Sequence, residues 1–435
     1  MNLEIALFWF RRDLRTDDNA ALYAALKSGL PILPLFIFDT EILDKLEDKK
    51  DRRVTFIYKS IQELSADFQE MGTPMEIRYG KPIEVFRTLL ELYNIKRVYT
   101  NHDYEPYAIE RDNQIRDLLK EQGIPFFTSK DHVIFEHNEV IKEDGTPYTV
   151  FTPYSRKWKS ALTDFYLKPY PVRKLANQLL KAGPLPLIPL EKMGFELIDM
   201  EFPGKVLKKD IVARYKAQRD IPGIDGTSRL GTHLRFGTIS IRQLAAEALK
   251  ASEVYLNELI WRDFYQMILT HFPRVGRGEP FRKEYELIQW RNNEDEFRRW
   301  TNGETGYPIV DAGMRQLNET GFMHNRVRMV VASFLSKHLL IDWRWGEAYF
   351  ADKLLDFDLA SNNGGWQWAA GSGCDAAPYF RIFNPYLQTK KFDPDFSYIR
   401  KWVPEFESAS YTSPIVEHDF ARKRCLEVYA RALRK

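Results

Sequence analysis

The sequence has only two cysteines, Cys374 and Cys425, in 435 residues. That excludes a disulfide scaffold and a structural zinc site, and no metal centre is expected. It favours a reducing intracellular compartment, taken here as the cytoplasm. No apolar run approaches the roughly 18 residues that a membrane span needs. The opening "MNLEIALFWFRRDLR" lacks the basic-then-apolar order of a signal peptide. Charge of one sign is also missing: 63 Lys+Arg against 61 Asp+Glu leave a net charge of +2. That is far from the basic stripe of a typical nucleic-acid binder. The small excess is uneven, with 28 basic and 31 acidic residues in 1–200 and 35 and 30 in 201–435. The second half is therefore the half that faces an anion. Internal repeats and low-complexity segments are absent. No G-x-G-x-x-G and no Walker sequence follows the first strand, so a glycine-type nucleotide site is not supported there.

What is present predicts two domains. Residues 1–130 alternate strand and helix: "IALFWF", "PILPLFIFD", "PMEIRYG", "RVYTN" and "PFFTSKDHVIF" read as strands. Between them lie segments with helical apolar spacing, the first starting near the N-cap types Asp17, Asp18 and Asn19. This rhythm predicts a doubly wound, Rossmann-like parallel sheet with helices on both faces. Residues 131–203 are rich in Pro and Gly and read as a long connector on the surface. Residues 204–435 are helical in pattern. Nine of the ten tryptophans fall between Trp158 and Trp402. They point to a large helical core or an aromatic-lined pocket.

Four stretches carry candidate chemistry. Thr227 and Ser228 precede a helix-like run, where hydroxyls and free N–H groups suit a phosphate; an ordinary N-cap is the plainer reading. Glu258, Trp261, Arg262 and Tyr265 share a helix face, as would a surface helix with one Glu–Arg pair. Asn325, Arg328 and Met329 share another face, while Arg326 points elsewhere. In "SNNGGWQW", Asn362 and Trp366 lie one turn apart, Trp368 points to another face, and Asp356 and Asp358 stand just upstream. Gly364 and Gly365 allow a close backbone approach there. Core packing alone explains Trp366; a flat ligand with a polar edge explains the whole set.

Together with "WFRRDLRTDDNAAL", "TSRL", "NELIWRDFY", "TGYPIVDAGMRQL", "MHNRVRMV", "DWRWGEAYF" and "DFDLASNNGGWQWAAGSGCDAAPYFRIFNP", these stretches carry a resemblance. The sequence resembles the photolyase/cryptochrome family, and most closely its class I cyclobutane pyrimidine dimer photolyases. The resemblance spans essentially the whole chain in the same order. It implies an α/β domain, a connector and a C-terminal helical domain that holds a U-shaped FAD and binds DNA. Thr227, Ser228, Arg229, Leu230 and Gly231 match the segment around the FAD phosphates. Tyr215, Tyr255, Arg262, Arg328, Asp356 and Asp358 match other flavin contacts, and Asn362 matches the residue facing flavin N5. Trp366, Trp343 and Trp290 match a three-tryptophan electron path to the surface.

The resemblance also implies what the pocket reads. Enzymes acting on (6-4) lesions place two His where Asn325 and Met329 stand here. Glu258, Trp261, Tyr265, Asn325, Met329 and Trp368 match a cyclobutane-dimer pocket instead. Arg219, Arg326, Arg381 and Gln388 would contact the DNA backbone. The implied activity is light-driven repair of pyrimidine dimers in UV-damaged DNA by an electron from reduced FAD. The implied partner is that DNA, and a monomer is expected. A cryptochrome-type photoreceptor is the alternative; plant cryptochromes carry Asp where Asn362 stands, and no long tail follows "ARALRK". Folate-binding relatives carry Asn-Glu where Tyr107 and Ala108 stand. A second antenna chromophore is therefore open among a deazaflavin, a flavin, a folate or none.

Overall fold

The structure, a computed structural model, describes residues 3–433. Met1, Asn2, Arg434 and Lys435, the outer ends of the two expected domains, lie outside the described residues. The chain divides into two compact units that interleave in sequence. The first comprises the chain up to Glu136, Leu162–Val206 and Arg229–Glu247. The second comprises His137–Ala161, Leu207–Ser228 and the chain from Ala248 onward.

The first unit is built on a parallel five-stranded sheet of order β3-β2-β1-β4-β5. The strands are β1 (Glu4–Phe10), β2 (Ile32–Asp39), β3 (Glu76–Gly80), β4 (Asn94–Asn101) and β5 (Phe126–Ser129). Their period of two sorts the side chains. Ile5, Leu7 and Trp9 of β1 and Leu33, Leu35 and Ile37 of β2 form one core with Val85, Phe86, Leu89, Ile115 and Leu119. These last come from helices Pro82–Leu92 and Pro106–Glu121. Phe10, whose ring meets that of Phe68 at 5.7 Å, packs on helix Arg52–Glu70. Burial on both faces explains why β1 and β2 read as unbroken apolar runs. Asn19 is the N-cap used, its side chain accepting from the Leu22 N–H at 3.1 Å. Asp18 does other work. It pairs with Arg242 at 2.9 Å, Arg242 reaches Asp131 at 2.7 Å, and Arg15 reaches Asp131 at 2.7 Å. Burial alone would raise the Asp131 pKa, but the two guanidiniums hold it well below the usual carboxylate range.

The second unit is helical. Its main core joins Trp300, Met314, Val327, Phe334, Trp343, Trp366 and Tyr398. Ser252, Asp342 and Asp358 cap the helices Glu253–His271, Trp343–Lys353 and Leu359–Ala370 with their side-chain oxygens. No helix among the described residues is long and apolar enough to cross a membrane.

The stretch read as a surface connector is not all surface. It contains the helix Phe151–Ala161, whose Tyr154 and Trp158 are buried. The Trp158 indole N–H donates to Asp263 at 2.9 Å. Pro and Gly dominate the flanks of that helix and masked its pattern. Phe151, Tyr154 and Trp158 stand at i, i+3 and i+7, a helical apolar stripe.

Candidate functional site

Helix Glu253–His271 carries the first group of candidates. Glu258 is bonded by Arg219, which lies 39 residues upstream at the end of helix Lys209–Gln218. Burial raises the Glu258 pKa above the ordinary glutamate value, and Arg219 only partly offsets this. Half-buried Arg262 stands one turn further on. Trp261 is flanked by its own helix neighbours, Tyr265 at 5.4 Å and Phe264 at 5.6 Å between ring centroids. Phe151 lies flat on it, with centroids 3.7 Å apart and planes 4° from parallel. Sequence reading missed Phe151, because the partner of a helix face is not written in that face.

Tyr265 also sets the spacing to helix Leu359–Ala370. A Cβ on Gly364 would overlap the Tyr265 ring, whereas a Cβ on Gly365 would meet nothing within 4 Å. Only the first of the two glycines is therefore a close approach. Tyr265, Gly364, Gln367, Trp368, Cys374 and Asp375 line one cavity. Trp368 is half-buried, with Phe383 at 6.3 Å.

A second group gathers charge and amides. Arg328 bonds Asp356 at 2.9 Å and gives its Nε–H to the Met323 carbonyl at 2.7 Å. The Gln266 amide donates to Asp358 at 3.1 Å, while the buried Gln266 Oε1 has no protein partner. The Asn362 amide nitrogen donates to the Glu347 carbonyl at 3.1 Å. That acceptor fixes the amide's orientation and turns Oδ1 the other way. Tyr215 is buried edge-on to Tyr255 at 5.1 Å, and the Tyr255 hydroxyl donates to Ser228 Oγ at 3.0 Å.

Thr227 and Ser228 do not cap a helix. The next helix is Gly231–Phe236, and no side chain caps it. Arg229 takes a left-handed turn with φ of 52°, which delays the helix past the hydroxyls. Thr227 and Ser228 belong to the second unit, and Arg229, Leu230 and Gly231 to the first.

Trp366 and Trp343 are buried in one core, and half-buried Trp290 packs against it. Trp366 sits where a Cβ on Gly346 would overlap its ring, with Phe350 edge-on at 5.0 Å and Trp300 at 6.1 Å. Trp300, wholly buried, is a neighbour that sequence reading did not single out. Trp290 meets Tyr429 edge-on at 6.1 Å.

Asn325 is exposed at the start of helix Asn325–Ser333, and Met329 is half-buried one turn later. Arg326 pairs with Asp220 at 2.9 Å, its guanidinium 4.2 Å from the Phe392 ring centre. Arg381 is exposed and Gln388 half-buried. Arg381 is held from behind: Lys337, 1% exposed on the π-turn Phe334–His338, donates to its carbonyl at 2.9 Å. Burial pulls the Lys337 pKa down to about 8, opposed by buried Cys425 and reinforced by Arg381. Between about pH 8 and the ordinary 10.5, the unfolded chain holds this proton and the folded one does not. Lys337 therefore contributes a stability that rises with pH across that window. In urea unfolding, wild type should gain up to about 3 kcal/mol relative to Lys337→Met from pH 8 to 10.5. A constant difference would show that Lys337 stays charged.

Two family models cover both units. One described as DNA photolyase matches residues 6–174, and one described as FAD binding domain of DNA photolyase matches 255–410. They place the chain among flavin-binding enzymes of DNA repair. Curated relatives are similar over nearly their whole length. The deoxyribodipyrimidine photo-lyase of Synechococcus sp. is 39% identical, over 97% of this chain and 96% of its own. That of Escherichia coli is 37% identical, over 98% of each. Among solved structures, a bacterial class III photolyase from Agrobacterium tumefaciens is 32% identical with a TM-score of 0.87, over 99% of this chain and 98% of its own. An archaeal photolyase from Sulfolobus tokodaii with two FAD molecules is 33% identical with a TM-score of 0.81, over 99% and 100%. The chain belongs to the DNA photolyase family.

Proposed function

We propose that the protein repairs cyclobutane pyrimidine dimers in DNA under blue light. The carrying observation is Glu258: a partly buried carboxyl with raised proton affinity, on the same helix face as Trp261 and Tyr265. The damaged dinucleotide must leave the base stack to reach such a pocket, and a lesion that pairs badly costs least to flip, as is general for enzymes that do chemistry on a base, photolyases among them.

The residues fit an FAD. Arg328 and Asp356 form a neutralised pair, Gln266 Oε1 is buried without a protein partner, and Asn362 presents a fixed amide. With Tyr215, Tyr255 and Ser228 they supply the cations, acceptors, hydroxyls and rings that a dinucleotide with a heteroaromatic end requires. When bound and reduced, FAD would supply, under light, the electron for opening the cyclobutane ring, an electron that returns once the ring has split. The chain's own residues then have separate tasks. Trp261 and Trp368 pack the apolar faces of the dimer. Protonated Glu258 donates to a thymine carbonyl, where negative charge develops. In the structure Arg219 occupies Glu258. On binding, Arg219 moves to a DNA phosphate, and loss of that cation raises the Glu258 proton affinity further. Arg326, Arg381 and Gln388 hold the backbone, giving a salt-dependent affinity with little sequence preference. A flavin is the proposed second chromophore, on the likeness to the archaeal photolyase that holds two FAD molecules. Tyr107 donates to Asp39 at 2.6 Å in place of the folate-type pair, and chromatography of released chromophores tests it.

The decisive measurement is repair of thymine-dimer oligonucleotides by reduced enzyme under blue light. Repair of (6-4) lesions only would overturn the pocket assignment, and repair of neither would favour a photoreceptor. Because the Glu258 pKa is raised, its donor proton persists above the usual glutamate range and is lost as pH rises further. Repair yield should fall with that loss. Glu258→Gln, which cannot ionise, should show a flat profile, and Glu258→Ala a yield lower by about threefold or more, the worth of one hydrogen bond. Parallel wild-type and Gln profiles would remove Glu258 from the role.

A further inference from the structure

We infer that Phe151 is a positioning residue for lesion recognition, one that holds the Trp261 indole plane and ties it to the segment behind Trp368. This rests on the reading of Trp261 as a pocket wall. Phe151 and Trp261 form a near face-to-face sandwich, 3.7 Å between centroids and 4° from parallel. Ring quadrupoles disfavour that geometry relative to offset or edge-on pairs. Something else imposes it, and three anchors are present. The Phe151 backbone N–H donates to Asp375 at 3.0 Å. Tyr154, one turn on, packs on Phe264 at 5.2 Å. Trp158, a turn further, donates to Asp263 at 2.9 Å. The helix Phe151–Ala161 is thus clamped along the very helix that carries Glu258 and Trp261.

The consequence is geometric. One indole face of Trp261 is taken by Phe151, yet Trp261 remains partly exposed. Asp375, which receives the Phe151 N–H, lines the same cavity as Trp368 and Tyr265. Phe151 therefore touches one aromatic wall with its ring and, through its backbone N–H, holds Asp375 in the lining of the cavity that Trp368 shares. A dimer is recognised by fitting apolar faces between such walls, so their relative angle sets discrimination between damaged and undamaged DNA.

The test compares dissociation constants for a thymine-dimer oligonucleotide and its undamaged twin. The proteins are flavin-loaded wild type, Phe151→Ala, Phe151→Leu, Phe151→Tyr and Trp261→Ala. Loss of one aromatic stack should lower the damaged-to-undamaged affinity ratio (the inverse of the ratio of dissociation constants) about three- to tenfold in Phe151→Ala and Phe151→Leu. Affinity for undamaged DNA should not change, and Phe151→Tyr, which keeps the flat ring, should restore the ratio. A merely structural role would weaken both DNAs alike, and that result overturns the proposal. The Leu variant keeps apolar volume, so it reports even if the Ala variant does not fold. An unchanged ratio in Phe151→Leu beside a reduced ratio in Trp261→Ala defeats the role of Phe151 alone. An unchanged ratio in Trp261→Ala defeats the pocket reading, and this inference with it.

Discussion

Gly364→Ala is expected to destabilise the protein by about 1–3 kcal/mol, while Gly365→Ala stabilises it by roughly 0.5–1 kcal/mol. The two residues are neighbours in one helix and differ only in what they face. A methyl on Gly364 would overlap the Tyr265 ring, which is pressed between this helix and Trp261. Close-packed interiors absorb such an overlap by moving side chains off their preferred rotamers. Tyr265 must then shift toward Trp261, so lesion affinity should fall with stability. At Gly365 nothing lies within 4 Å, and alanine there only removes the backbone freedom that glycine gives the unfolded chain. Thermal unfolding of both variants decides the matter. Equal effects at the two positions would show that helix propensity, not the Tyr265 contact, governs this stretch.

Trp366→Phe is expected to slow light-driven reduction of the oxidised, flavin-loaded protein by about tenfold or more, roughly 1.4 kcal/mol or more on that step. Repair by chemically pre-reduced enzyme should stay within about twofold. Trp366 is 2% exposed and shares its core with Trp343, which is also 2% exposed. Trp290 packs on the same core and is half-buried, so on the proposed path through these three it is the outer member. An indole gives up an electron far more readily than a phenyl ring, whereas phenyl fills most of its volume. The substitution therefore separates electron supply from packing. Trp343→Phe and Trp290→Phe should reproduce the photoreduction defect. Loss of repair along with photoreduction in Trp366→Phe would make Trp366 structural.

The sheet was legible because period-two burial is written strand by strand, as in Ile5, Leu7 and Trp9. Arg328 and Asp356 were legible through the family resemblance, and their pairing follows in the structure because a half-buried guanidinium needs a nearby anion. Other features depend on partners that periodicity cannot see. Arg219 and Glu258 meet only once two helices are packed. The late start of helix Gly231–Phe236 turns on one left-handed residue, Arg229, a non-glycine that carries no local sign of it. Phe151 lay inside a stretch whose prolines and glycines spoke for loop. Its three-residue aromatic stripe was the available signal.

The interleaving of the two units bears on how the chain is made. The side chains of Asp18 and Asp131 are each 1% exposed, and their partner Arg242 is 224 residues beyond Asp18. During synthesis the sheet emerges long before that arginine does. Until it arrives, completing the first unit would bury Asp131 with Arg15 as its one guanidinium and Asp18 with the Tyr170 N–H in place of a guanidinium, a state of several kcal/mol unfavourable charge. Ribosome-bound chains arrested near residue 200 should accordingly remain protease-sensitive in this region, and protection should appear only once the Arg229–Glu247 segment has left the exit tunnel. The first unit is then the earliest to be translated without being the earliest to be finished.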